Sequence, residues 1–149
     1  MIQKNAVQIK FIKLLDKGSF AEVHLVKDIN NNRLLAAKKL YEKNLNSKEK
    51  FYLQNEINIL KKLQHPNIIK LYYVLKKPDY TLLVLEYCNG GSLYKNLYEY
   101  ISKYGTPFSE KLVQRLMKQI LLGVKALHEN GIIHRDLKLG NILIKYNND

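Results

Sequence analysis

Residues Val7 to Leu15, Val7-Gln8-Ile9-Lys10-Phe11-Ile12-Lys13-Leu14-Leu15, alternate apolar and polar side chains. That is the two-residue period of a strand with one buried face. Gly18 follows as a tight turn, and Glu22 to Lys27 resumes the alternation. Asp28-Ile29-Asn30-Asn31-Asn32 has turn chemistry, because Asn and Asp side chains bond their own backbone. Arg33 to Leu40 reads as a third strand, so the chain opens as an antiparallel meander. The period then changes. Asn46 or Ser47 is placed to cap a helix with Glu49 in its first turn, and Leu53, Ile57, Leu60 and Leu63 recur at helical spacing. His65-Pro66-Asn67 ends that helix, since the residue before a proline avoids the helical region. Ile68 to Leu75 and Thr81 to Glu86 return to strand, joined by a Lys-Pro-Asp turn.

Asn89-Gly90-Gly91 reads as a flexible joint and the best boundary in the chain. Beyond it the pattern is helical. Ser92 caps a helix to about Ser102, and Gly105-Thr106-Pro107 breaks it. Ser109 caps a long second helix whose Leu112, Leu116, Ile120, Val124 and Leu127 lie three or four apart, ending at Gly131. The fold class is therefore α+β: a five-stranded antiparallel sheet with one major helix, about residues 7–88, and then a mainly helical part, residues 89–149.

Composition narrows this little. At 149 residues with 46% hydrophobic and 26% charged side chains, the chain is long enough to bury a core. It has no apolar run long enough to cross a bilayer, and Met1 to Ala6 lacks the apolar segment of a secretory signal. The single cysteine, Cys88, excludes an internal disulfide and suggests a reducing, cytoplasmic setting. The formal charge of +12 raises nucleic acid as a partner. Against it, lysines supply 22 of the 25 basic residues and are scattered, with no arginine-rich block. Nucleic acid is not expected.

The chemistry concentrates in Gly131-Ile132-Ile133-His134-Arg135-Asp136-Leu137-Lys138-Leu139-Gly140-Asn141-Ile142-Leu143-Ile144, two apolar runs around a polar centre. The pattern suggests a loop held by two strands. It resembles the catalytic loop of eukaryotic protein kinases, H-R-D-L-x-x-x-N, with Asp136 and Asn141 five apart. Four further elements stand in the family's order. Asp16-Lys17-Gly18-Ser19-Phe20-Ala21-Glu22-Val23 resembles the phosphate-covering G-x-G-x-x-G-x-V, although only Gly18 is kept. Leu35-Ala36-Ala37-Lys38 is similar to V-A-I-K on the third strand, and Glu56 stands where the family's helix supplies the lysine's partner. Leu82 to Leu93 resembles the strand and hinge that hold adenine.

Each element has a plainer reading. The glycine segment alone is an ordinary β-turn; Lys38 alone is a surface lysine, as Lys39 on the opposite face is expected to be; Glu56 alone is a solvated helical glutamate. Their order favours the family.

The resemblance implies ATP and Mg2+ as cofactors and a protein hydroxyl as acceptor. It gives Lys38 the α- and β-phosphates, Glu56 the orientation of Lys38, Asp136 the acceptor's proton, Lys138 the γ-phosphate and Asn141 a magnesium ion. Leu15, Gly18, Val23, Ala36, Leu85, Glu86, Cys88, Ser92 and Leu143 would line the nucleotide. Among these, Leu85 is the gatekeeper, and backbone groups of Glu86 and Cys88 meet the adenine edge. Val23, Ala36 and Leu143 sandwich its faces. His134 is expected to pack, His65 to make a structural hydrogen bond, and Arg135 to receive a phosphorylated loop. Lys138, two after Asp136, favours serine/threonine over tyrosine specificity. Asp16 puts a charge near phosphate and should weaken binding by about 1 kcal/mol unless it turns to solvent.

D-F-G, the activation loop and A-P-E do not occur in these residues, and Tyr146 to Asp149 reads as a turn. The expectation is a partial kinase domain, nearly inactive by itself, with an exposed apolar surface on the long helix. The alternative is a non-catalytic kinase-like module that binds nucleotide or a partner.

Overall fold

The computed structural model describes residues 7–18 and 21–146. Ser19 and Phe20 of the glycine segment lie outside them, as does the turn expected at the C-terminus apart from Tyr146. The chain forms two compact units. The first is made of residues up to Lys62 together with Ile69–Tyr87; the second contains Leu63–Ile68 and the residues from Cys88 onward.

The first unit is a five-stranded antiparallel sheet carrying one helix. Its strands are β1 (Ile9–Lys17), β2 (Ala21–Asp28), β3 (Arg33–Leu40), β4 (Leu71–Lys76) and β5 (Thr81–Glu86), in the order β1-β2-β3-β5-β4. The β3 and β5 bounds are those expected from the alternation. β4 starts later than expected. The Ile68 N–H donates to the His65 carbonyl at 3.0 Å and the Asn67 N–H to His65 Nδ1 at 3.1 Å, so this backbone is closed into a turn. His65 thus makes the structural hydrogen bond expected of it.

β1 pairs with β2 through two irregularities, which leave Ile12 and Leu15 without a register partner. A bulge of this kind bends an edge strand and makes it a poor template for further pairing.

The sheet is apolar on both faces. Ala36, Leu40, Leu83 and Leu85 pack on one side with Leu45 and the helix residues Leu53 and Ile57. Val26, Leu35, Ala37, Leu82 and Val84 pack on the other. The helix α1 (Ser47–Lys62) begins with a reciprocal cap: the Glu49 N–H donates to Asn46 Oδ1 at 3.0 Å, and the Asn46 N–H donates to Glu49 Oε2 at 2.7 Å. Two of the amides that a helix start leaves without partners are satisfied in this way.

The second unit holds α2 (Leu93–Tyr104), α3 (Glu110–Glu129) and a two-stranded ribbon of β6 (Gly91–Ser92) and β7 (Leu143–Ile144). Ser92 Oγ caps α2 by accepting from the Lys95 N–H, and Ser109 Oγ caps α3 by accepting from the Leu112 N–H. Gly105 and Gly131 take left-handed φ values of 68° and 69° where the two helices stop. α3 packs closely on the His65–Ile68 turn: a side chain at Gly123 would come within 3.0 Å of the Asn67 carbonyl. The spaced residues Leu112, Leu116, Ile120, Val124 and Leu127 are the more covered ones on α3, while Val113, Met117, Leu121 and Leu122 are exposed.

Among the described residues no helix is long and apolar enough to cross a membrane.

Candidate active site

The first unit gathers several of the residues expected to meet a nucleotide. Val23 pairs with Lys38, and Ala36 pairs with Leu85. Paired and alternate residues share a face of a sheet, so Val23, Ala36, Lys38 and Leu85 lie on one side. Ala36 and Leu85 are 8% exposed each, and Val23 packs against their cluster.

Lys38 is held by α1. Its Nζ lies 2.7 Å from Glu56 Oε1 and 2.9 Å from Oε2. An ammonium on a four-carbon stem has many rotamers, and a two-oxygen acceptor selects one position for the charge. Strand alternation puts Lys39 on the opposite face, where it differs from the surface lysine expected. Its Nζ lies 4.8 Å from the Tyr41 ring centroid and 4.5 Å from that of Tyr80. The neighbouring Tyr41 hydroxyl is the main cause of its raised pKa.

At the hairpin turn the Gly18 N–H donates to the Ala21 carbonyl at 2.9 Å. A Cβ built on Gly18 would meet nothing closer than that carbonyl, at 3.6 Å. The fold therefore does not require glycine at position 18. Ala21, the first residue of β2, packs against the core. Asp16 is exposed and its Oδ1 accepts the Lys17 N–H at 2.8 Å, so its carboxylate is turned to its own backbone. Glu22 sits between Lys17, at 3.2 Å, and His24, at 3.3 Å. His24 first and Lys17 second hold its carboxyl below the usual range.

At the end of β5 the Glu86 N–H donates to the Lys70 carbonyl at 2.8 Å, and beyond it the Cys88 carbonyl accepts from Gly91 at 3.3 Å. Asn89-Gly90-Gly91, expected as a joint, is tied by hydrogen bonds within the second unit. The Gly90 N–H donates to the Ile144 carbonyl at 2.8 Å, and a side chain at Gly90 would lie 2.8 Å from that same oxygen. Asn89 Oδ1 accepts from the Tyr146 N–H at 2.8 Å. Asn96 Nδ2 donates to the Gly90 and Ser92 carbonyls at 2.6 and 2.9 Å. The alternation signal could not find Asn96; only the folded geometry brings it to this backbone. Leu143 is opposite Ser92 in the β6–β7 ribbon, while the Ser92 hydroxyl serves the helix cap.

The polar loop brings two expected residues onto the carboxylate of a third, Asp136. Asn141 Nδ2 donates to Asp136 Oδ2 at 2.8 Å and to the Asp136 carbonyl, also at 2.8 Å. Lys138 Nζ lies 3.0 Å from the same Oδ2. Lys138, then Asn141, hold the Asp136 carboxyl below the ordinary aspartate range. Arg135 takes a left-handed φ of 64°, which a residue with a side chain adopts only at a cost. The Asp136 N–H then points to His134 Nδ1 at 3.3 Å.

Two expectations fail here. His134 is exposed and works through that hydrogen bond, not by packing. Ile132-Ile133 is not a strand, because the Ile132 N–H bonds back to the Leu127 carbonyl and continues the helix end. The loop is held by a helix and β7.

The described residues contain no cluster of three or more His, Cys, Asp or Glu able to hold a metal alone. Magnesium commonly takes only one or two protein oxygens and completes its shell with phosphate and water. Asn141 has an amide oxygen of that kind, its Nδ2 being the atom turned to Asp136.

Comparison with known sequences matches residues 9–149 to the family described as protein kinase domain. The chain is 40% identical over 142 residues to calcium-dependent protein kinase 4 of Plasmodium berghei, covering 95% of this chain and 26% of that protein. It is 33% identical over 137 residues to probable serine/threonine-protein kinase 2 of Plasmodium falciparum, covering 92% and 25%. To serine/threonine-protein kinase ATG1a of Arabidopsis thaliana it is 39% identical over 130 residues, covering 87% and 20%. The chain thus spans about a quarter or less of the length of these relatives.

Proposed function

Because the chain belongs to the protein kinase domain family, we propose that it carries the nucleotide site and catalytic loop of a serine/threonine kinase. ATP with Mg2+ supplies the transferable phosphate and the charge that screens it.

The chain's own residues do the rest. Val23, Ala36 and Leu85 give adenine an apolar surface, Leu15 adds to it, and the Glu86 backbone meets its edge. Gly18 permits phosphate to approach the turn. Lys38, fixed by Glu56, meets the α- and β-phosphates. Asn141 would hold the magnesium ion through its amide oxygen. Asp136, kept ionised by Lys138 and Asn141, accepts or orients the proton of the incoming hydroxyl. Lys138 then offers its ammonium to the transferring phosphoryl group.

The observation that carries this reading is the bidentate hold of Glu56 on Lys38, at 2.7 and 2.9 Å. It fixes a cation beside an apolar surface, which a structural ion pair has no need to do.

The test is thermal unfolding of the 149-residue chain with Mg-ATP. The wild type is expected to shift upward and Lys38→Met to show no nucleotide-dependent shift. A folded wild type that does not respond refutes the assignment. Residues 1–149 supply Asn141 but no D-F-G aspartate. A polypeptide of these residues is expected to bind Mg-ATP yet transfer phosphate to a generic peptide only at background. Robust transfer that disappears in Asp136→Asn would overturn that expectation.

A further inference from the structure

We propose that the hydrogen bond from Thr81 to Glu42 is a positioning device for the Lys38–Glu56 pair, pinning the chain that leads into α1 onto β5. The proposal rests on the kinase reading and goes beyond it by naming what holds Glu56 in place.

The sequence of β5, Thr81-Leu82-Leu83-Val84-Leu85-Glu86, has one buried polar residue. Thr81 is 1% exposed, as buried as the leucines beside it. Valine has the same shape and would suit that site as a strand residue. The hydroxyl costs desolvation unless it is bonded, and it is bonded, to the half-buried carboxylate of Glu42.

Glu42 opens the 3-10 turn Glu42–Asn44 between β3 and α1. Thr81 pairs with Leu40, the last residue of β3. The chain therefore leaves β3, turns once, and is fastened back to the neighbouring strand before α1 begins. Leu45, 8% exposed, adds an apolar anchor in the same core as Leu53 and Ile57. A second pair, Lys43–Asp79 at 2.6 Å, is mostly solvent-exposed and adds little.

The pin matters because Leu53 and Ile57 are the only buried residues by which α1 grips the sheet. A cavity of about 130 Å³ lies here, bordered by Glu42, Leu53, Ile57, Lys76 and Thr81. A displacement of α1 by about 1 Å would carry both Lys38–Glu56 contacts beyond hydrogen-bonding range. The lysine would then be free to leave the place where it meets phosphate.

The experiment measures Mg-ATP affinity by calorimetry for the 149-residue wild type, Thr81→Val, Thr81→Ser, Glu56→Gln and the double variant Thr81→Val/Glu56→Gln. Amide hydrogen exchange across α1 reports whether each protein is folded and how firmly the helix is held. Thr81→Val is expected to weaken nucleotide binding about fivefold, the worth of one net hydrogen bond, with faster exchange in the first turns of α1. Thr81→Ser keeps the hydroxyl and is expected to bind as the wild type does. In the double variant the Thr81→Val penalty is expected to vanish, because the pair it positions is already broken.

If the wild type binds no Mg-ATP, the kinase reading fails and this proposal falls with it. If the wild type binds and Thr81→Val binds equally well, only this proposal fails. It also fails if the penalty persists in full beside Glu56→Gln, which would make Thr81 a stabilising residue unconnected to the pair.

Discussion

Asp136 Oδ2 takes a hydrogen bond from Asn141 at 2.8 Å and faces Lys138 at 3.0 Å. Both contacts favour the charged carboxylate, so the folded-state pKa is depressed. The linkage has one sign: the contribution is present above the ordinary aspartate value and is lost as pH falls through the lowered one. Lys138→Ala removes the larger cause, and the Asp136 titration midpoint, read by carboxyl NMR, is expected to move up. An unchanged midpoint would mean that the ion pair does not form in solution. This trio was legible in advance because His134, Arg135, Asp136 and Asn141 stand at fixed spacings. The surroundings of single residues were less so. Alternation gives the face on which Lys39 lies, but not the Tyr41 and Tyr80 rings that cover it, and it says nothing of what His134 touches.

Elements bounded by capping side chains were the most legible. Ser92 and Ser109 accept from the third residue beyond, as their positions before apolar periodic runs suggested. The choice between Asn46 and Ser47 is settled by the reciprocal Asn46–Glu49 bonds. Asn46→Ala is expected to cost about 1 kcal/mol of stability in urea unfolding. The cost should shrink in a Glu49→Ala background, where half the box is already gone. The errors fell where apolar runs have no ladder to join. Ile68 and Ile132 both look like strand starts, yet their amides turn back to His65 and Leu127. A β-rich composition specifies strand only where a neighbouring strand is there to pair.

At the scale of the molecule, the order of motifs predicted a sheet-bearing part and a helical part. It did not predict that Leu63–Ile68 leaves the first to pack with the second. That exchange depends on Gly123 giving the Asn67 backbone room, a contact between positions far apart in sequence and invisible to local periodicity. The +12 charge is distributed along the whole chain rather than in one block. Its expected effect is on attraction of anions, which salt screens: the Debye length falls from about 10 Å at 0.1 M to about 3 Å at 1 M. Mg-ATP affinity is therefore expected to drop severalfold across that range, while binding of uncharged adenosine stays nearly constant. Parallel losses for both ligands would show that salt acts on the fold and not on the encounter.

The contact between Gly90 and Ile144 has a consequence for how this gene tolerates change. Gly90 and Gly140 look alike in the sequence, each a small residue in a polar turn. A methyl group at Gly90 would collide with backbone and two side chains, whereas one at Gly140 would meet nothing within 4 Å. Codon 90 should be closed to every replacement, alanine included, even when only folding is selected. Codon 140, under the same selection, should drift. Any intolerance that appears at 140 only when catalysis is selected would then be a record of chemistry and not of packing.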